Sequence, residues 1–212
     1  MKKGCLMLAF SFALLASLAA QSYLKPYTTD DYSEKGYFIG VGLKTNVFVN
    51  DNAIHDINVW KNPSLGGHIF AGKWFNPKWG TRILFEGGTL HPYFQSMNMK
   101  VEQKYVLGRL DFLLNLTSLL APDNYHVYNL IPYAGVSGAY AYKAVNRPDK
   151  VTNFTTFMFG CGLSNSIDFS RSISGYLDLG MDFVDADFDG YKSDNRKLNV
   201  IASLSIGIMV NF

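Results

Sequence analysis

The run Asp185-Ala186-Asp187-Phe188-Asp189-Gly190 sets carboxylates at the first, third and fifth places and glycine at the sixth, as a calcium-binding EF-hand loop begins. Such a loop needs a bidentate glutamate at its twelfth place and a helix on each side. Here the twelfth residue is Arg196, and both flanks alternate like strands. The stretch therefore reads as a polar connection. The other reactive side chains are dispersed. His55, His68, His91 and His126 are spread over loops and one strand, and no His/Cys cluster has metal-site spacing, so neither metal nor cofactor is expected. His55-Asp56 is an adjacent pair without a nucleophile to serve. Gly66-Gly67 and Gly87-Gly88 precede no helix and so are not phosphate cradles. What remains is a set of charges placed singly inside apolar runs: Arg82, Glu86, Arg109, Asp111, Asp178 and Asp182.

Those charges must be positioned by strands. The chain has 212 residues, 15% aromatic and 17% charged, with 19 glycines, a balance that suits sheet more than helix. Residues 1–20 have the layout of a secretory signal peptide, with Lys2 and Lys3, an apolar run from Leu6 to Leu18, and small residues before Gln21. Its removal leaves seventeen bases against seventeen acids, so there is no electrostatic case for a nucleic-acid partner. It also leaves Cys161 alone, without an intrachain disulfide. Residues 21–36 form a polar lead in the periplasm.

From Tyr37 onward the chain alternates with period two. In the last segment Leu198, Val200, Ala202, Leu204, Ile206, Ile208, Val210 and Phe212 share one face, and Asn199, Ile201, Ser203, Ser205, Gly207, Met209 and Asn211 the other. Similar segments span roughly 37–49, 64–75, 79–90, 103–117, 128–143, 153–169 and 172–185, with one short helical turn near 116–121. Eight such strands predict an all-β, eight-stranded antiparallel transmembrane β-barrel over 37–212. Connections at 76–78 and 170–171 are tight, whereas 50–63, 91–102, 144–152 and 186–197 are longer and polar, the outer-membrane arrangement of turns and loops. The 118–127 connection, about ten residues long, departs from it.

The charges also orient the wall. Arg82 and Glu86 oppose Ile83 and Phe85; Arg109 and Asp111 oppose Leu110 and Phe112; Asp178 and Asp182 oppose Leu177, Leu179 and Met181. Mixed-sign charges with Gly42, Gly72, Gly160, Gly162, Gly180 and Gly207 fit a narrow interior, and the unbroken apolar face fits lipid better than the outside of a soluble lipocalin-like barrel. Alternation sets Cys161 toward lipid. Tyr37, Phe75, Trp79, Tyr105, Tyr128, Tyr142, Phe154, Phe169, Phe183 and Phe212 lie near strand ends and suggest interfacial girdles.

The stretches Ala71-Gly72-Lys73-Trp74-Phe75-Asn76-Pro77-Lys78-Trp79-Gly80-Thr81-Arg82, Asp111-Phe112-Leu113-Leu114-Asn115-Leu116, Asn129-Leu130-Ile131-Pro132-Tyr133-Ala134-Gly135 and Phe188-Asp189-Gly190 resemble the outer-membrane β-barrel domain of Bacteroidetes OmpA-like proteins. The resemblance covers about 37–212. It implies the cell outer membrane, contact with its lipid and lipopolysaccharide, and Phe212 as the signal read by the outer-membrane assembly machinery. Because the sequence stops at Phe212, the expectation is a barrel without a peptidoglycan-binding domain. The His-x-Ser motif of lipid A deacylases is absent, since Val127 and Tyr128 follow His126. The expected function is a non-enzymatic structural envelope role, extending to a narrow pore. The alternatives are a surface-binding barrel whose loops carry Trp60, Tyr93, Phe94 and Tyr191 as anchors for an unknown ligand, and an outer-membrane lipid-modifying enzyme.

Overall fold

The computed structural model describes residues 36–49, 63–91, 93–94, 99–100, 102–121, 126–145, 153–170, 172–184 and 199–212. Eight long strands follow in chain order: β1 Tyr37–Val49, β2 Ser64–Asn76, β3 Trp79–Leu90, β4 Glu102–Leu114, β5 Tyr128–Val145, β6 Phe154–Asp168, β7 Ile173–Val184 and β8 Asn199–Asn211. Each pairs antiparallel with its neighbours in sequence, and β1 pairs with β8 to close the sheet. The all-β, eight-stranded barrel anticipated from alternation is therefore the fold.

The register sets its girth. Paired positions followed round the wall run Asn165, Leu177, Ile206, Leu43, Gly67, Gly87, Val106 and Tyr140, and return to β6 at Thr155, ten residues from the start. With eight strands, that stagger tilts them about 40° from the barrel axis and leaves a bore filled by side chains.

Local chemistry places the turns. Asn76 Oδ1 accepts from the amides of Lys78 (2.9 Å) and Trp79 (3.0 Å), and Pro77 supplies a fixed φ between them. Ser170 Oγ accepts from the amide of Ile173 at 3.1 Å and performs the same service before β7. The fourth strand ends earlier than alternation alone suggested. Asn115 turns its side chain to cap the helix α1, Leu116–Leu120, by accepting from the Ser118 amide at 3.1 Å, so the chain leaves the sheet after Leu114. That helix occupies the connection whose length departed from the turn pattern. A two-residue ladder, Tyr93–Phe94 with Met99–Lys100, extends the β3–β4 connection and has no counterpart in the sequence reading.

Ile39, Leu43, Ile69, Phe85, Leu110, Val136, Phe157, Ile206 and Ile208 are exposed on the outside. In water this band would be an aggregation surface, whereas hydrocarbon is its natural solvent. Tyr37, Phe75, Trp79, Phe169 and Phe212 ring the turn end, where Phe75 and Trp79 pack with centroids 4.6 Å apart. Tyr105 corrects the girdle expectation: it is 3% exposed, inside the bore, because its odd number in β4 puts it on the face of Leu107 and Arg109. Residues 1–35 of the signal and lead, the acidic loop 185–196, Trp60, Tyr191 and His55 lie outside the described residues.

Inside, large side chains rest on glycines. Phe38 covers Gly72, Phe70 covers Gly40, and Tyr176 covers both Gly42 and Gly207. A Cβ on Gly207 would collide with the Tyr176 hydroxyl and with the carbonyl of Val41, whereas one on Gly138 would meet nothing within 4 Å. Gly207→Ala is therefore expected to cost about 1–3 kcal/mol through overpacking, and Gly138→Ala to stay within about 0.5 kcal/mol of the parent. Reversible urea unfolding in lipid vesicles measures both.

Candidate functional site

At mid-height the bore holds seven charged side chains from four strands. Arg82 and Asp111 are register partners on β3 and β4, and Arg82 brings both Nε and Nη2 to 2.9 Å from Asp111 Oδ2. On the other side of the same carboxylate, Arg109 Nε stands 2.8 Å from Oδ1, an ion pair by distance without hydrogen-bond alignment. Each arginine then reaches β7, the opposite wall. Arg82 Nη1 meets Asp178 Oδ2 at 3.1 Å, and Arg109 Nη1 meets Asp182 Oδ1 at 3.0 Å. Lys44, from β1, completes the chain, with Nζ 2.6 Å from Glu86 Oε2 and 3.7 Å from Asp182 Oδ2. The sequence Glu86–Lys44–Asp182–Arg109–Asp111–Arg82–Asp178 thus alternates in sign from end to end, with Asp111 shared by the two arginines.

All six charges singled out in the sequence are in this ladder. Lys44 was missed, although it shares its face with Phe38, Gly40 and Gly42, and it is the only charged side chain on β1.

The ladder is wrapped in aromatic and polar side chains. Tyr133 lies against both guanidinium groups, with Arg82 Cζ 4.7 Å and Arg109 Cζ 5.2 Å from its ring centroid, a geometry that supplements ion pairing with cation–π attraction. Gly162 and Gly180 make room for its hydroxyl. Toward the loop end, the Tyr105 hydroxyl donates to Glu86 Oε1 and accepts from Asn46 Nδ2 at 2.6 Å. Toward the turn end, His68 Nε2 shares a hydrogen bond of 2.7 Å with the Tyr176 hydroxyl, and Phe38, Phe70 and Trp74 fill the space below. A charge buried in so narrow a bore is tolerated only with its partners. The arrangement can brace opposite walls and obstruct the bore. Among the described residues, no three His, Cys, Asp or Glu side chains gather to hold a metal ion.

The remaining sequence candidates sit apart. His126 Nε2 is 2.7 Å from the Ala121 carbonyl oxygen in the α1 connection. Cys161 is a free thiol on the outward side of β6. Phe212 is exposed at the turn end, and its amide donates to the Tyr37 carbonyl at 2.9 Å, closing the β1–β8 seam.

Comparisons with known proteins agree with this architecture. No family model matches the chain. Outer membrane protein 40 of Porphyromonas gingivalis (strain ATCC BAA-308 / W83) is 30% identical over 95 residues, a match spanning 43% of this chain and 24% of that protein. The chain thus matches about a quarter of that relative's length. Among solved structures, Neisserial surface protein A superposes with a TM-score of 0.58 at 12% identity, covering 84% of this chain and 97% of that one. A major outer membrane protein from Thermus thermophilus gives 0.52 at 12% identity, over 83% and 99%. The chain is an outer-membrane β-barrel. Its apolar belt accordingly faces lipid, and the ladder lies within the membrane's thickness.

In this outer-membrane barrel Asp111 answers two arginines at once. Asp111→Asn leaves both short of a counter-charge, and the expected cost is about 3–5 kcal/mol of unfolding free energy. The paired change Lys44→Met with Glu86→Gln removes opposite charges together and should cost less than the two single changes added. Unfolding in lipid vesicles, followed by tryptophan fluorescence, compares them.

Proposed function

We propose that this chain is a non-enzymatic structural protein of the outer membrane, whose bore is sealed by the charge ladder. The carrying observation is the span of the ladder: Arg82 and Arg109 on β3 and β4 each hold an aspartate of β7 across the bore. An eight-stranded barrel has room for little beyond its own side chains, so a cross-bore ion pair there also blocks passage. Tyr133, Tyr176, Phe70 and Phe38 fill the turn-end half and support the same reading.

Such a protein stiffens the envelope and carries its four long connections on the outer side. Its surroundings are outer-membrane lipid and, on the loop side, lipopolysaccharide. Phe212, exposed beside the β1–β8 seam, is the residue assigned to recognition by the assembly machinery. The surface-binding alternative rests on Trp60, Tyr93, Phe94 and Tyr191, of which Trp60 and Tyr191 lie outside the described residues and Tyr93–Phe94 belong to the short ladder of the β3–β4 connection.

Planar-bilayer recording tests the seal. The refolded protein should show no sustained conductance steps, and Arg82→Gln combined with Asp178→Asn should introduce them by uncoupling β3 from β7. Steps in the unaltered protein whose size responds to either single substitution would instead establish an ion path through the ladder.

A further inference from the structure

One outward-facing side chain does not belong to a hydrocarbon band. Asn165 lies on the outer face of β6 between Leu163 and Ile167 in the alternation, while Ser164 and Ser166 are buried inside. Its Oδ1 accepts the hydroxyl proton of Tyr128, the first residue of β5, which also faces outward. Its Nδ2 donates to no group among the described residues. An amide donor left in hydrocarbon is unfavourable, so the position calls for an acceptor from outside the protein.

The surroundings define that acceptor. Tyr128 and Asn165 stand at the foot of an apolar groove of about 950 Å³ that crosses the outer face of β5 to β8 and β1. Leu130, Leu163, Leu177, Ile206 and Ile208 form its walls. Phe169 makes its lower lip, with its ring laid over Gly175, where a Cβ would come within 2.7 Å of the ring. Asn165 is three residues from the end of β6, and Tyr128 is at the very start of β5, so the polar pair lies where headgroup chemistry gives way to acyl chains. The donor is neutral, which suits a neutral carbonyl more than a phosphate. A neighbouring barrel wall could cover the groove but has its backbone carbonyls engaged in ladder hydrogen bonds.

We propose that this groove binds one glycerophospholipid of the turn-side leaflet. An ester carbonyl accepts from Asn165 Nδ2, Tyr128 holds the amide in orientation, and one acyl chain lies along the leucine and isoleucine walls. The site distinguishes a bound lipid from the general lipid coat by one hydrogen bond at a fixed depth.

The test uses the full chain refolded in micelles containing equal amounts of ester-linked phosphatidylethanolamine and its ether-linked analogue. After detergent exchange, native mass spectrometry counts the lipids retained. The expected result is one retained lipid with about a ten-fold preference for the ester form, which corresponds to a single hydrogen bond. Asn165→Leu should reduce that preference to nearly none while still showing the heat-shifted gel mobility of a folded barrel. Equal retention of ester and ether lipids by the unaltered protein, or an ester preference undiminished in Asn165→Leu, overturns the proposal. Where the variant does not fold, the ester-against-ether comparison on the unaltered chain decides alone.

Discussion

Asp111 is the pivot of this protein. Fully buried, it answers Arg82 through one oxygen and Arg109 through the other, and those two arginines are the ion-pair links from β3 and β4 across the bore to β7. The bore is narrow because eight strands with a ten-residue stagger close on a small circumference. Narrowness and charge then constrain each other. Charges without partners could not be accommodated in so buried a space, and partners on opposite walls are within reach only because the bore is so tight.

Packing around the ladder follows from the same limit. Two guanidinium groups close to the Tyr133 ring crowd the bore, and tyrosine hydroxyls over Gly42, Gly162, Gly180 and Gly207 occupy positions where any Cβ would collide. The inward glycines are thus complements of particular large side chains. Gly135 and Gly160 extend the point to the charges, since the carboxylates of Asp111 and Asp182 lie where their Cβ atoms would be. The ladder has its geometry because the neighbouring strands withhold side chains at the paired positions, Gly135 beside Asp111 and Gly160 beside Asp182.

Much of this was legible from period two alone. Parity separated Arg82, Glu86, Arg109, Asp111, Asp178 and Asp182 from their lipid-facing neighbours, since each has a large apolar residue one step away. Lys44 obeyed the same parity but was alone on its strand, so no pattern drew attention to it. Tyr105 departs from the girdle expectation because an aromatic near a strand end suggests an interface, whereas its odd number in β4 turns it into the bore. Which charges meet could not be read at all. Arg82 and Asp178 lie on strands that are not neighbours, and their contact depends on stagger and bore diameter, quantities that no single strand encodes. The early end of β4 was hidden for a local reason, since Asn115 serves equally well as a strand residue until its side chain caps α1.

The outward glycines obey a different logic. Gly67 pairs with Gly87, and Gly108 with Gly138, on four adjacent strands, and a Cβ at any of them would find only ordinary contact or open space. Interior packing therefore gives no reason for their size. They lower the lipid-facing relief of β2 to β5, leaving a shallow groove of about 840 Å³ bordered by Leu43, Ile69, Phe85 and Tyr140. A smooth barrel would present bulky apolar residues throughout, since hydrocarbon rewards no gap. Among the described residues the wall instead has relief, made by small residues in one groove and bordered by Asn165 in another, so the lipid face is shaped as well as apolar. Inside the bore, shape is dictated by the protein's own side chains; outside it, the complementary surface has to be supplied by the membrane.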